Sequence, residues 1–507
     1  MVGAKGKFLR TVVLICVVSL GFAFTLRAAD PPADPVKEAE TFKKLGDEHA
    51  AKDELREAAD AYERALSLGR NQFTVDDCVR MAVLLSWDDR LSAAIRELRL
   101  VIERDPSNHN AMIQLARVYS WDGQLTRAVG IADTILADSP TDKETLLIKA
   151  NALEWDDRFN EAIPIYKTII QRDGDFDARI GLASSLLYKG DRAAALREAN
   201  TLVASDARQK RQLQRLSEAL GRESRPRMEI GYDFYSDSDE NHFGRYSARY
   251  AVAVGNHDFA VNLGRTNASG GTRSDDASFQ ADFNATGALG LAAGIGVTRL
   301  QSPDTAQFPT GYLRLHGRLR RTSISGAVSS ETLNETSELI TNHVRRLSAA
   351  AEISQRITSL WSVSGGYSRL RFSDANEAND AQVRTEVAVR LAPRVAFGYQ
   401  LRFLDYDTQS GSGYFDPDNF VSHRVSASVE FDRRKFFAFV QIYGGHQEFE
   451  RHDFRTSEWV KGGRASFGVN LSTKLTVAVN TAAGDFSTGS VSGYRYFTAG
   501  TKVSYRF

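Results

Sequence analysis

From residue 227 to residue 507 the sequence repeatedly alternates apolar and polar residues with a period of two. Met228, Ile230, Tyr232 and Phe234 alternate with Glu229, Gly231, Asp233 and Tyr235. Val383, Thr385, Val387, Val389 and Leu391 alternate with Gln382, Arg384, Glu386, Ala388 and Arg390. The last segment sets Phe497, Ala499, Thr501, Val503, Tyr505 and Phe507 against Tyr496, Thr498, Gly500, Lys502, Ser504 and Arg506. Successive side chains of a strand point to opposite faces, so one face can meet lipid while the other meets water. The charges gather on one face, and an Arg or Lys facing lipid at mid-depth costs about 2–4 kcal/mol.

The connections between these segments alternate in length. Short ones fall near 255–256, 286–288, 320–321, 355–357, 392–393, 432–434 and 472–473. Longer polar ones fall at 236–241, 267–276, 302–309, 331–341, 373–380, 405–419, 448–456 and 486–492. Seven short and eight long connections make 16 strands, with a margin of two because 322–330 and 342–354 alternate poorly. Short turns inside and long loops outside is the rule of outer-membrane barrels, and an even count puts both barrel ends on the periplasmic side. A pair of soluble sandwiches is the competing fold. It accounts for neither the interleaved turns nor the aromatic Phe507, which is expected to act as the signal read by barrel-assembly machinery.

The first half has a different period. Trp87, Trp121 and Trp155 are 34 residues apart (121−87 and 155−121), and each opens a phrase such as Trp155-Asp156-Asp157-Arg158. That is the tetratricopeptide period, two antiparallel helices joined by a polar turn. Gly46, Ala82, Ala116 and Ala150 mark close approach on the first helices, and Ala58, Ala94, Ala128 and Ala162 on the second. Pro106 and Pro140 end helices, because proline cannot continue the hydrogen-bond ladder. Repeats therefore fall near 39–74, 75–108, 109–142 and 143–176, with a degenerate fifth at 177–221. A two-residue insertion is expected within 67–74. Such arrays bind peptides or proteins. The three Trp are expected to pack between repeats, and the alternative is that their faces stack on sugar rings.

The expected fold is an all-α tetratricopeptide solenoid followed by an all-β antiparallel transmembrane barrel. The expected order is a signal peptide at 1–29, a linker at 30–38, periplasmic repeats at 39–221, a linker at 222–226 and the barrel at 227–507. Lys5, Lys7 and Arg10 precede an apolar run over 11–26, which is short for a spanning helix, and Ala28 and Ala29 suit cleavage. An uncleaved anchor is the alternative. Cleavage would leave Cys78 as the only cysteine, so no internal disulfide is expected.

Net charge is zero, which gives no reason to expect nucleic acid as a partner. No metalloprotease, serine-hydrolase or phosphate-loop motif is present, so neither enzyme activity nor a cofactor is expected. Asp405, Asp407, Asp416 and Asp418 crowd one loop but lack the spacing of a calcium loop, and no metal site is expected. The expected lumen face carries Arg249, Arg314, Arg318, Arg384, Arg390, Arg402, Arg424 and Arg506 with Glu386 and Glu430. Polar walls suit any water-filled barrel, and arginines also donate to hydroxyl and carboxylate oxygens of a polymer.

The order of leader, repeats and barrel resembles bacterial outer-membrane exporters of exopolysaccharide, of the poly-N-acetylglucosamine and cellulose types. The repeat phrases and the segment Gly231-Tyr232-Asp233-Phe234-Tyr235 also resemble YaiO-type outer-membrane proteins. Gly413-Tyr414-Phe415-Asp416-Pro417 resembles a segment in the barrel of the cellulose exporter. The resemblance implies a 16-strand pore for a nascent polysaccharide, with repeats that bind periplasmic proteins or the polymer. Tyr414 and Phe415 are then expected to stack on sugar in an extracellular loop. This chain has about five repeats where that exporter has many more. A general porin with an accessory repeat domain, and a plugged, non-transporting anchor, are the alternative functions.

Overall fold

The computed structural model describes residues 34–507 apart from 285–288, 359, 392, 434, 452–453 and 486–494. The expected leader lies outside the described residues. The chain forms two compact units, divided at Ala111 and Met112.

The first unit holds α1 (Pro35–Ala51), α2 (Leu55–Gly69), α3 (Val75–Trp87), α4 (Leu91–Arg104) and the start of α5 (His109–Trp121). Asp34 caps α1 through the Val36 amide, and Thr74 caps α3 through that of Asp77. Gly46 is buried under Tyr62: a Cβ there would lie 2.5 Å from the tyrosine ring. The expected insertion is a 3₁₀ turn, Arg70–Gln72. It carries Arg70 onto buried Glu97 in a bidentate pair at 2.6 and 2.8 Å.

The second unit continues with α6 (Leu125–Asp138), α7 (Lys143–Trp155), α8 (Phe159–Asp173), α9 (Phe176–Lys189), α10 (Arg192–Asn200) and α11 (Ala207–Ser224). The turns between paired helices share one device in both units. Asp53, Asp89, Gly123 and Asp157 have φ of 63°, 64°, 76° and 57°, and Gly190 has 98°. Asp and Gly recur there because the left-handed region suits them and few other residues. The small positions read from the sequence, Ala58, Ala82, Ala94, Ala116, Ala128, Ala150 and Ala162, are all fully buried.

Beyond α11 the chain runs into sixteen antiparallel strands: β1 (Arg227–Asp237), β2 (His242–Val254), β3 (His257–Ala268), β4 (Arg273–Asn284), β5 (Leu289–Gln301), β6 (Thr305–Leu319), β7 (Thr322–Thr332), β8 (Arg345–Arg356), β9 (Trp361–Phe372), β10 (Glu377–Leu391), β11 (Arg394–Tyr406), β12 (Asp418–Asp432), β13 (Phe436–Arg451), β14 (Phe454–Asn470), β15 (Leu475–Asp485) and β16 (Arg495–Arg506). Each strand pairs with its sequence neighbours, and β1 pairs with β16, closing a barrel. The weakly alternating stretches are β7 and β8. Their outer positions include Gly326, Ala349 and Ala351, too small to register as apolar.

Several expected long loops are ladder instead. Residues 267–276 belong largely to β3 and β4, and β13 and β14 pair as far as Arg451 with Phe454. The alternation stops there because the outer face carries charge pairs rather than apolar side chains. Arg265 and Asp275 pair at 2.7 Å, and Arg455 and Glu448 at 3.2 Å. A spanning strand needs roughly 9–11 residues. The 17 of β14 overshoot that, so its outermost residues stand beyond lipid. Ile230, Tyr250, Leu263, Ile295, Leu313, Ile324, Val389, Val425 and Ile442 expose an apolar belt lower down.

Candidate functional site

Cross-strand partners share a face, so the ladder register assigns each predicted lumen residue. Arg249 faces the lumen and donates to Asn262 at 2.7 Å and to Gln280 at 2.9 Å. Arg402 makes a bidentate pair with Asp380 at 2.9 and 2.8 Å. Glu386 accepts from Arg394, itself opposite Glu430 on the lumen face. Arg314, Arg318 and Arg384 lie on the same face, exposed. The guanidinium of Arg424 lies 5.2 Å from the centre of the Tyr443 ring. Arg506 faces inward opposite Arg227 at the short-turn end.

Arg390 is a correction. The register slips between Ala388 and Arg390, so Val389 is an extra residue and Arg390 sits opposite Val395. Val395 in turn pairs with exposed Val429 on the outer face. A one-residue bulge reverses the facing of every later residue in its strand, and strict alternation cannot reveal it.

At the long-loop end, two loops fold onto the inner faces of β9 to β14. Leu333, Leu339 and Val344 come from 333–344, which contains a short helix α12 (Ser337–Thr341), and Tyr414 and Phe415 from 407–417. They pack with Leu370, Phe372, Leu404, Tyr406, Phe420, Phe449 and Val460, all lumen-facing, in one apolar core. Tyr414 is wholly buried and stacks on Phe372, with ring centres 4.3 Å apart and planes at 12°. Its hydroxyl donates to Asp374 at 2.8 Å and accepts from Asn376 at 3.1 Å. Asn376 also brackets the loop backbone, donating to Thr408 O and accepting from Thr408 N–H. Asp416 is fully buried against Arg451 at 2.9 Å, and Pro417 is buried beside it. From the other side, buried Asn334 donates to Ser274 at 2.9 Å.

The expectation of sugar stacking by Tyr414 and Phe415 therefore fails. Both rings are interior, held by aromatic neighbours, and the Gly413–Pro417 phrase is the anchor of a roof. Burial opposes the charge on Asp374, but hydrogen bonds from Ser410, Tyr414 and Ser412 outweigh it and hold its carboxyl below the usual range. Burial pushes Asp416 up against the Ser410 amide and Arg451. Among the described residues no cluster of three His, Cys, Asp or Glu is arranged to hold a metal ion.

At the short-turn end the helices bind the rim. The Arg192 side chain, only 9% exposed, donates to the carbonyls of Gly255 at 2.8 Å, Glu223 at 3.0 Å and His257 at 3.1 Å. It also reaches Asp258 at 3.2 Å. The Ala193 amide donates to Asn256 at 2.8 Å, and Asn256 returns a bond to Asp191, the cap of α10. Asp156 and Asp157, the acids of the third Trp phrase, pair with Arg321 in the β6–β7 turn and with Arg356 at the end of β8. In the sequence those acids read as turn formers only. Their cationic partners sit at short turns, where no lipid constraint explains an arginine.

The Trp side chains are a second correction. Trp87, Trp121 and Trp155 end α3, α5 and α7 and are 57%, 43% and 49% exposed. The repeat cores are filled by Leu85, Val118, Tyr119 and Leu153, two or three residues earlier. The indoles arrive where the chain already turns away, so half of each faces solvent.

No family model matches the chain, and no curated protein matches it. Among solved structures, a bacterial polysaccharide outer membrane secretin superposes with a TM-score of 0.47 at 12% identity, over 56% of this chain and 99% of its own. CdiB from Acinetobacter baumannii gives 0.38 at 10% identity, over 56% and 60%. A tetratricopeptide repeat protein from Parabacteroides merdae gives 0.33 at 19%, over 37% and 73%. The closed barrel with its apolar belt is the architecture by which strands cross a bilayer. Phe507 sits on that outer face, its ring edge-on to Tyr505 at 5.1 Å and to Tyr250 at 6.2 Å.

Proposed function

We propose that this chain is an outer-membrane conduit for an exopolysaccharide, with its helical repeats in the periplasm recruiting partner proteins or polymer. The observation that carries this reading is the contrast between the two barrel ends. Helices are bolted to the short-turn rim, and a loop roof covers the opposite end along β9 to β14. A general porin needs neither. A conduit that must admit one cargo and stay shut otherwise needs both. The half-exposed Trp faces leave the repeats able to take protein or sugar. The resemblance to exopolysaccharide exporters in domain order supplies the cargo class.

The apolar roof also favours a second reading, a plugged anchor whose repeats are the working part. A deletion strain separates the two. The conduit reading expects surface polysaccharide to fall and polymer to collect in the periplasm. The anchor reading expects secretion to continue.

A further inference from the structure

Below the barrel, α11 and the short turns enclose a cavity of about 620 Å³. Ligand pockets run from about 300 to 1,000 Å³, so this one has room for a sugar of one or two rings. Its charged lining is lopsided. Arg222 and Arg225 come from the end of α11, Lys435 from the β12–β13 turn and Arg506 from the inner face of β16. Glu218 is the one carboxylate among the lining residues, and it already accepts from Gln214 at 3.0 Å. Among the described residues none of the four cationic side chains makes an ion pair or a side-chain hydrogen bond. The Nε of Arg506 is buried without a partner. Two further carboxylates act on Arg506: Glu223, which makes no ion pair with it, and Glu229, which is taken by Lys502 at 2.8 Å and Arg227 at 3.1 Å.

The four cations outnumber the carboxylates near them, like charges brought together repel, and a buried guanidinium donor left unpaired is costly. Elsewhere on the lumen wall Arg402 and Arg394 have carboxylate partners. Arg222, Arg225 and Lys435 are exposed to water, and an anion in the cavity would draw on all three while giving the buried Arg506 Nε the acceptor it lacks. The guanidinium fork matches carboxylate oxygens two at a time. The cavity lies where Arg506 begins the lumen face, so anything entering from the helix side passes it.

We infer that this cavity is an anion-binding subsite at the inner mouth, and that its ligand is a carboxylate-bearing sugar unit of an acidic polysaccharide. The inference rests on the conduit reading for its polymer. The shared chemistry of carboxylate and phosphate is separated by the probes.

The test uses the full chain in detergent, titrated with trigalacturonate, with neutral maltotriose and with inorganic phosphate, at low and high salt. The variants are Arg222→Gln with Arg225→Gln, and Arg506→Gln alone, each checked for a heat-modifiable barrel. Trigalacturonate should bind, weaken with salt, and outbind both maltotriose and phosphate. Each variant should raise its Kd about tenfold or more, the effect of losing a charge-assisted contact. Equal binding of maltotriose, unchanged affinity in both variants, or no trigalacturonate binding overturns the inference. Binding of phosphate as tight as trigalacturonate overturns the sugar assignment. None of these results touches the conduit reading, whose failure shows as unchanged secretion in the deletion strain.

Discussion

Replacing Tyr414 with alanine should open the roof while leaving the barrel assembled. The ring is fully buried and stacked on Phe372, and its loss leaves a cavity among Phe372, Tyr406 and the β9–β12 wall. Large-to-small changes at buried aromatics cost about 3–5 kcal/mol. Asp374 also loses one of its donors, and Asn376 loses its hydroxyl acceptor. At about 1.4 kcal/mol per decade, the population with 407–417 detached should rise by roughly two to three and a half orders of magnitude. Tyr414→Phe keeps the ring and removes only the hydroxyl, so about 1–3 kcal/mol is expected. Single-channel conductance in planar bilayers and cleavage of the loop by external protease report the opening. Both should rise in the order wild type, Tyr414→Phe, Tyr414→Ala, and removal of 410–418 should match or exceed the alanine variant. If Tyr414→Ala conducts like wild type and resists protease equally, the interior core is not what holds the roof.

Glu154, partly buried beneath the Tyr166 hydroxyl at 2.7 Å, has its carboxyl pushed up to about 7 by loss of hydration, against the hydrogen bond from Tyr166. Its folded pKa lies above the unfolded value. The helices should therefore be most stable below about pH 4.5 with respect to this group, and lose roughly 3 kcal/mol as pH rises through 7. Circular dichroism melts of the full chain should show this slope, and Glu154→Gln should flatten it; a slope retained in the variant assigns it to other groups. Arg192→Ala strips a charged donor from two rim carbonyls and one of α11, and should cost about 3 kcal/mol. Proteolysis should then release the helices from a barrel that stays heat-modifiable, and wild-type resistance would show that the rim contacts do not hold them. Trp121→Ala should cost only about 1 kcal/mol, since nearly half of the indole is already in water; a shift of the size seen for buried Trp would restore an interior role.

Fold class is legible because its two periods, 34 and two, are imposed by geometry that leaves little freedom. Strand number comes from turn spacing, since each short turn must reverse the chain within a few residues. Strand ends are less legible. Above the lipid, Arg265–Asp275 and Arg455–Glu448 continue the ladder with charges, and nothing in the alternation separates that from loop. Arg390 escapes a count by twos because a bulge shifts it by one without a compositional mark. Tyr414 and Phe415 read as exposed because aromatics in a long polar loop can bind ligand or fold inward. Only the third dimension brings Phe372, Phe420 and Phe449 to them from three separate strands. The rim contacts are hidden for the same reason: Asp156 and Arg321 are 165 residues apart, and one sequence carries no pairing between them.

Under the conduit reading polymer travels through the lumen, and blocking the lumen tests this directly. Arg384 is exposed on the inner face of β10, opposite Ser364 and Gln400. Arg384→Cys, in a chain freed of its other cysteines, can be modified in cells with a bulky, charged maleimide. Secretion should continue in the unmodified variant and stop as labelling approaches completion, with polymer collecting in the periplasm. Secretion at the unmodified rate with position 384 fully labelled would contradict a route through this barrel.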